Sequence, residues 1–380
     1  MIGIIQEQHP DRCRLFMQWK QMGWPIIVDS LNLTGVSTVP RTLAIDEHGI
    51  VRLTRARPET IEEEFLNLSY EKPENLPSQP SSSSPPDLKQ LKAGTSHGTG
   101  DAWRAYGDGL FLWGEDPRLL EAIAAYQQAI RLNPEDADAH FRLGVSYRRR
   151  YDSDLRQSDD FQTAVNHWGH ALDLDPNQYI WRRRIQQFGP RLAKPYPFYD
   201  WVSTARREIS ARGETPSVLV TEPGGAEIAS PQKVFEAGTN GQAEPDPRGR
   251  IYRDKRGFVH AETAVVPSTA EPGKPVRIHV TFRPNTEIKA HWNNEADDLV
   301  FWVNPPEGWA ADSRRHTVAN PPQAVSLETR KVEFEIRSPA SSSGETIQIP
   351  AYALYYVCED VNGTCLYRRQ DVDIEIATRR

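Results

Sequence analysis

The stretch Tyr355-Tyr356-Val357-Cys358-Glu359-Asp360-Val361-Asn362-Gly363-Thr364-Cys365-Leu366-Tyr367 carries two of the three cysteines in a chain of 380 residues. At its centre Asn362-Gly363 separates two aromatic and β-branched runs. Both residues tolerate the positive φ of a tight turn, so the pattern reads as a β-hairpin. Such a hairpin brings Cys358 and Cys365 back toward each other, and two thiols so placed can interconvert with a disulfide. A bracing disulfide, an inert reduced pair and a redox-active pair all fit that spacing. The loop closed by the bond is short and removes only about 2.5 kcal/mol of unfolded-chain entropy. That is little for the staple of a large domain.

Outward from the hairpin the apolar period is two. Val276, Ile278, Val280 and Phe282 alternate with Arg277, His279 and Thr281, and Val332, Phe334 and Ile336 with Glu333, Glu335 and Arg337. Val372, Ile374 and Ile376 alternate with Asp371, Asp373 and Glu375. Several such strands between Pro- and Gly-containing turns predict an antiparallel β-sandwich over residues 251–380. His291-Trp292-Asn293-Asn294-Glu295 gathers polar side chains around one Trp, and reads either as a site or as a turn before the strand Leu299–Val303.

This segment resembles the amino-terminal domain of the thiol:disulfide interchange reductases. The resemblance lies in Gly273-Lys274-Pro275 before the first strand, Trp302 with Pro306-Glu307-Gly308-Trp309, Ala353-Leu354-Tyr355-Tyr356, and the cysteine hairpin. It implies an immunoglobulin-like fold in which Cys358 and Cys365 pass electrons as the catalytic pair, served by a thioredoxin-like donor. The attacking sulfur must be a reachable thiolate. Glu359 and Asp360 would raise the pKa of a neighbouring thiol, and Arg368 and Arg369 would lower it if they folded back. Tyr355, Tyr356 and Tyr367 either shield the pair or pack the sheet.

Residues 101–190 repeat. Ala122, Tyr126, Ala129 and Pro134 recur as Ala164, Trp168, Ala171 and Pro176, an offset of 42 residues (176 − 134). That is the period of about 34 of tetratricopeptide repeats plus an insertion, which falls in Tyr151–Asp160. Leu143-Gly144 and Tyr147 match the motif's first helix, and Tyr179–Phe188 reads as a capping helix. The resemblance implies an all-α array that takes up a protein partner or a neighbouring domain, with a plain helical spacer as the alternative. His167 and His170 share a helical face, with no third ligand nearby in the sequence, and read as exposed repeat residues rather than a metal site.

Residues 1–70 alternate strand and helix. Leu15, Phe16, Trp19 and Met22 recur at helical spacing, Trp24–Asp29 reads as a strand, and strands at Thr42–Asp46 and Ile50–Arg55 flank Glu47-His48-Gly49. A last helix from Pro58 is expected to bury Ile61, Phe65 and Leu68. Val39-Pro40 before the third strand, together with this element order, resembles the second half of a redoxin-type thioredoxin-like domain. The resemblance implies an α/β half-domain with a cis peptide at Pro40, the cis-proline position. The family's Cys-x-x-Cys has no counterpart in these residues, so the half-domain is expected to be incomplete. Cys13 lies in a helix that does not match the catalytic position, and reads as a packing thiol; a peroxidase built on it lacks activating neighbours.

Between these modules, 71–100 includes a Pro/Ser-rich run and reads as a disordered tether. Residues 191–250 read as a helical and extended connector, opening with the aromatic turn Lys194–Trp201. A net charge of −7 with scattered basic residues argues against a nucleic-acid surface. Arg148-Arg149-Arg150 and Arg182-Arg183-Arg184 are expected on solvated helix faces. No run of 18 apolar residues suits a membrane span, and no cofactor or metal is implied. The compartment reads as cytoplasmic for the chain as written, and as periplasmic or exported if a signal precedes it.

The expected fold is therefore multidomain: a thioredoxin-like half-domain, a tetratricopeptide array and an immunoglobulin-like sandwich. Two functions follow. One is thiol–disulfide exchange through Cys358 and Cys365, with the array binding a protein partner. The other is a non-enzymatic interaction protein braced by the same bond.

Overall fold

The computed structural model describes residues 1–72, 85–114, 118–193, 200–220, 225, 233–238, 243–341, 344–359 and 363–379. The aromatic turn at 194–199 and Asn362 of the hairpin lie outside them.

The amino-terminal part is β1 (Gly3–Ile5), α1 (Pro10–Lys20), β2 (Ile26–Val28), β3 (Ala44–Ile45) and β4 (Val51–Leu53), followed by a π-helical turn at Glu62–Leu66. Pro10 opens α1, where a missing N–H costs nothing, and Gln21 closes it in the left-handed region. β1 pairs with β2 in parallel, and β3 with β4 antiparallel. No ladder joins the two ribbons among the described residues, so residues 1–70 do not form the continuous sheet that the redoxin resemblance implies. Ile2, Ile4, Ile27, Leu43, Ile45 and Val51 are exposed. The expected last helix is only the short wide turn, and Leu68 is exposed rather than buried. Helix α1 finds its apolar partner elsewhere: Leu15 packs with Val202, Ala205 and Ile209.

Helices α2 (Leu88–Gly94), α3 (Gly100–Trp113), α4 (Leu119–Leu132), α5 (Ala137–Tyr151), α6 (Asp160–Leu174) and α7 (Tyr179–Phe188) make the array. The expected tether is thus corrected over 88–97. Asp87 caps α2 by accepting from Lys89 N, and Leu88 and Leu91 pack on the array core, which offsets the entropy of ordering them. The repeat alanines Ala122, Ala129, Ala164 and Ala171 are fully buried. A Cβ on Gly144 would stand 2.5 Å from Trp168 Cδ1, so this glycine sets the close approach of α5 and α6. Helix α8 (Trp201–Ala211) follows and covers α1.

The carboxy-terminal part is built of strands, with one 3-10 turn at Thr286–Ile288: β5 (Val259–Val266), β6 (Thr269–Ala270), β7 (Pro275–Pro284), β8 (Ala290–Asn293), β9 (Leu299–Val303), β10 (Ala310–Ala311), β11 (Arg315–Val318), β12 (Val325–Ser326), β13 (Arg330–Arg337), β14 (Thr346–Glu359) and β15 (Cys365–Thr378). One open sheet runs β10-β13-β7-β5. The other runs β11-β9-β14-β15-β6, with β8 joined to β14 and β12 to β8. Val276, Ile278, Val280 and Phe282 meet Phe301, Tyr355, Ile374 and Ile376 in one core between the sheets.

The alternating polar residues are not on a solvated face. Arg277, His279, Thr281 and Glu335 are buried, because the array lies over them. Ala264 and Val266 of β5 belong to the array's core, and Gln162 of α6 accepts from Val265 N at 2.7 Å, covering the sheet's edge. His279 Nε2 donates to Phe188 O at 2.7 Å, and Glu335 Oε1 accepts from Arg191 N at 3.0 Å and from Arg277 Nη2 at 3.1 Å. Burial raises the Glu335 carboxyl above its ordinary range despite these partners.

Removing one member of a buried ion pair strands the other's charge. Arg277→Leu is expected to destabilise the protein by about 3–5 kcal/mol, whereas Arg277→Leu with Glu335→Leu recovers most of that loss. Denaturant unfolding of the three proteins checks it.

Candidate functional site

The hairpin of β14 and β15 keeps register from Thr346↔Ala377 to Cys358↔Cys365. Alternation sends Ile349, Ala351, Ala353, Tyr355 and Val357 into the core. Tyr352, Leu354, Tyr356 and Cys358 therefore lie on the outer face. Cys358 and Cys365 are disulfide-bonded with Cα atoms 3.9 Å apart. Cys358 is 3% exposed and Cys365 is exposed, so one end of the bond is open to a partner.

Beside the pair, the rings of Tyr356 and Tyr367 stack at 4.4 Å on the same face. Burial, and then the neighbouring Tyr356 and Asp297, raise the Tyr367 hydroxyl above its ordinary value. Tyr355 is a core residue whose hydroxyl donates to Asp254 Oδ2 at 2.9 Å. Glu359 is paired with Arg256 at 2.6 Å. Arg369 binds Asp371 at 2.7 Å and Asp246 at 3.0 Å and lies over Tyr352, while Arg368 donates to Tyr367 O. Both arginines are thus engaged by groups other than the cysteine sulfurs.

The motif at 291–295 divides in two. His291 and Trp292 belong to a strand, where a turn was the alternative expected. Trp292 is fully buried and donates to Glu328 O at 2.9 Å, with Arg330 over its ring. Asn294 braces the following turn through Gln323 O and Ser326 Oγ. His291 pairs directly with Cys358 across β8 and β14.

The Val39-Pro40 bond is cis, and Pro40 is exposed. Cys13 on α1 is half-buried, and burial followed by the charge of Glu7 pushes its thiol up. A raised pKa leaves less thiolate for nucleophilic attack.

Residues from the amino-terminal part fill one face of the array. Gln8 donates to Val145 O at 2.9 Å, His9 Nε2 lies 2.7 Å from Asp152 Oδ2, and Tyr179 N donates to Ser37 O at 3.1 Å. Arg184 donates to Gln6 O at 2.6 Å and Gln8 Oε1 at 3.0 Å, and Leu31 enters the array core. Burial opposes the charge of Glu7, yet Arg12 and Arg184 outweigh it and hold its carboxyl below the ordinary range. The expectation for the basic runs is thereby corrected at Arg148 and Arg184, while Arg182 is exposed. Arg148 and Arg184 are buried, Arg148 bonding Asp152 at 3.0 Å and lying over Phe161 and Phe188, because flat guanidinium groups stack on aromatic rings.

The two repeat histidines meet a third, His140, that spacing alone did not flag. It stands on α5, facing them across the helix pair. His140 Nδ1 lies 3.1 Å from His167 Nδ1, and its ring meets His170 at 4.3 Å. His140 is buried and His170 exposed. Among the described residues no group of three or more His, Cys, Asp or Glu is arranged to hold a metal, and no helix is long and apolar enough to cross a membrane.

The TPR repeat family model matches residues 118–149, which span α4 and most of α5. A tetratricopeptide repeat is therefore present, and it indicates protein–protein interaction. No curated protein matches the chain. Among solved structures, the sporulation control protein Spo0M from Bacillus subtilis aligns at 12% identity over 33% of this chain and 50% of its own, with a TM-score of 0.16. AvmM, described as catalysing macrocyclization in alchivemycin A biosynthesis, aligns at 14% identity over 34% of this chain and 96% of its own, with a TM-score of 0.18. The chain spans about half the length of the first of these. Neither likeness supports an argument about fold or activity.

Burial, then the charges of His140 and His170, lower the His167 imidazole from 6.5 to about 4. Between those values the unfolded chain takes up a proton that the folded chain refuses, so stability falls as pH drops through that window. His167→Gln is expected to lessen this acid slope, read by denaturant unfolding of the helical signal between neutral pH and about 4.5. An unchanged slope would show that the cluster contributes nothing.

Proposed function

We propose that this chain performs thiol–disulfide exchange through Cys358 and Cys365, and that its helical array organises the encounter with a protein partner. One observation carries the reading: the bond spans the turn end of the hairpin on the outer face, with Cys365 exposed and Cys358 buried. A bridge between an exposed and a buried sulfur offers a partner thiolate one point of attack and leaves the other sulfur as the leaving group. On this reading the sheet-rich part is an immunoglobulin-like domain of the interchange-reductase type. Residues 1–70 are a redoxin-type half-domain in which Pro40 is the cis-proline. The natural electron donor is a thioredoxin-like dithiol.

A second reading, a non-enzymatic interaction protein with a bracing bond, is favoured by the repeat match at 118–149. The two differ in redox behaviour. Mass spectrometry of alkylated native protein, poised at a series of glutathione ratios and with a thioredoxin-like donor, is expected to show Cys358 and Cys365 reduced together at cellular potentials. A pair that stays oxidised throughout rejects exchange and leaves the interaction reading.

A further inference from the structure

The ladder sets three side chains in one row across three strands: His291 of β8, Cys358 of β14 and Cys365 of β15. Directly opposed residues of antiparallel strands project to the same face, with Cβ atoms about 4.5–5.5 Å apart. Cys358 is thus flanked by its disulfide partner on one side and an imidazole on the other. We propose that His291 stabilises the Cys358 thiolate released when the disulfide opens; this rests on the exchange reading above.

The need for such a group follows from burial. A partner dithiol of the Cys-x-x-Cys class supplies the electrons. Its thiolate attacks Cys365 Sγ, the Cys358–Cys365 bond breaks, and the electron pair leaves on Cys358 Sγ. The partner's second thiolate then attacks its own sulfur in the mixed disulfide and releases Cys365. The partner is oxidised by two electrons and the pair reduced by two. The two cysteine sulfurs take up the two protons that the partner's thiols lost. Cys358 is the buried member, and an uncompensated anion there is costly. A leaving thiol of lower pKa also departs faster.

Several charged groups among the described residues around the row are engaged or lie further along. Glu359 on β14 is held by Arg256. Asp297 and Arg315 act on Tyr367, one row away on the sheet. Arg368 of β15 donates to Tyr367 O, and β12 brings only Val325 and Ser326. On β8 the Lys289 carbonyl lies 3.4 Å from His291 Nδ1, an acceptor that places a proton on that nitrogen.

Reduction of the native protein by dithiothreitol, followed from pH 5.5 to 8.5 and corrected for reagent thiolate, tests this in wild type, His291→Leu and His291→Lys. His291→Leu is expected to slow reduction roughly three- to tenfold. His291→Lys keeps a positive charge and is expected to hold the rate across the range. In reduced protein, the alkylation profile of Cys358 shifts to higher pH in His291→Leu alone. Superimposable profiles in wild type and His291→Leu overturn the role of His291 while leaving exchange standing. A wild-type pair that dithiothreitol cannot open under native conditions rejects the exchange reading itself, and this inference with it.

Discussion

Glu335 is the carboxylate on which the assembly of this molecule depends. It lies fully buried on the outer side of the four-stranded sheet, where alternation alone would put it in water. Its charge is tolerable there because Arg277 reaches it from the neighbouring strand and the Arg191 backbone donates to it from beyond α7. A buried charge left without partners would cost several kcal/mol. The site therefore requires the helical array to be seated on the sheet. His279, donating to Phe188 O, makes the same demand one row away.

Seating the array in this way divides its surface. Helix α6 covers the sheet edge at β5 through Gln162. The face made by α5 and α7 receives Gln6, Gln8 and His9 from the chain's own beginning. A repeat module of a kind that serves protein partners thus spends much of its surface in cis. It acts here as the joint between the amino-terminal elements and the sheets. The cysteine hairpin lies on the outer face of the other sheet, away from these contacts.

Much of the candidate site was legible because it is local. A hairpin turn and a period of two are properties of neighbouring residues, and they suffice to set Cys358 opposite Cys365 and to send Tyr355 inward and Tyr356 outward. His291 was visible only as part of a polar cluster around Trp292. Its place beside Cys358 depends on the pairing of β8 with β14, some 67 residues apart (358 − 291), and nothing local encodes that register. The third histidine, His140, was missed for the same reason, since it meets His167 only once two helices pack.

The sequence by itself determined the repeat helices, with the small residues Ala122, Ala129, Gly144, Ala164 and Ala171 that let them close. It also determined the alternating strands and the cysteine hairpin. These follow from side-chain size and period, which act over a few residues. Only the tertiary structure decided that Arg148, Arg184, Arg277 and Glu335 are buried, that 88–97 folds onto the array, and that the ribbons of 1–70 remain separate. Burial of a polar residue depends on what covers it. A charged side chain enters a core only where a distant partner is already placed to receive it.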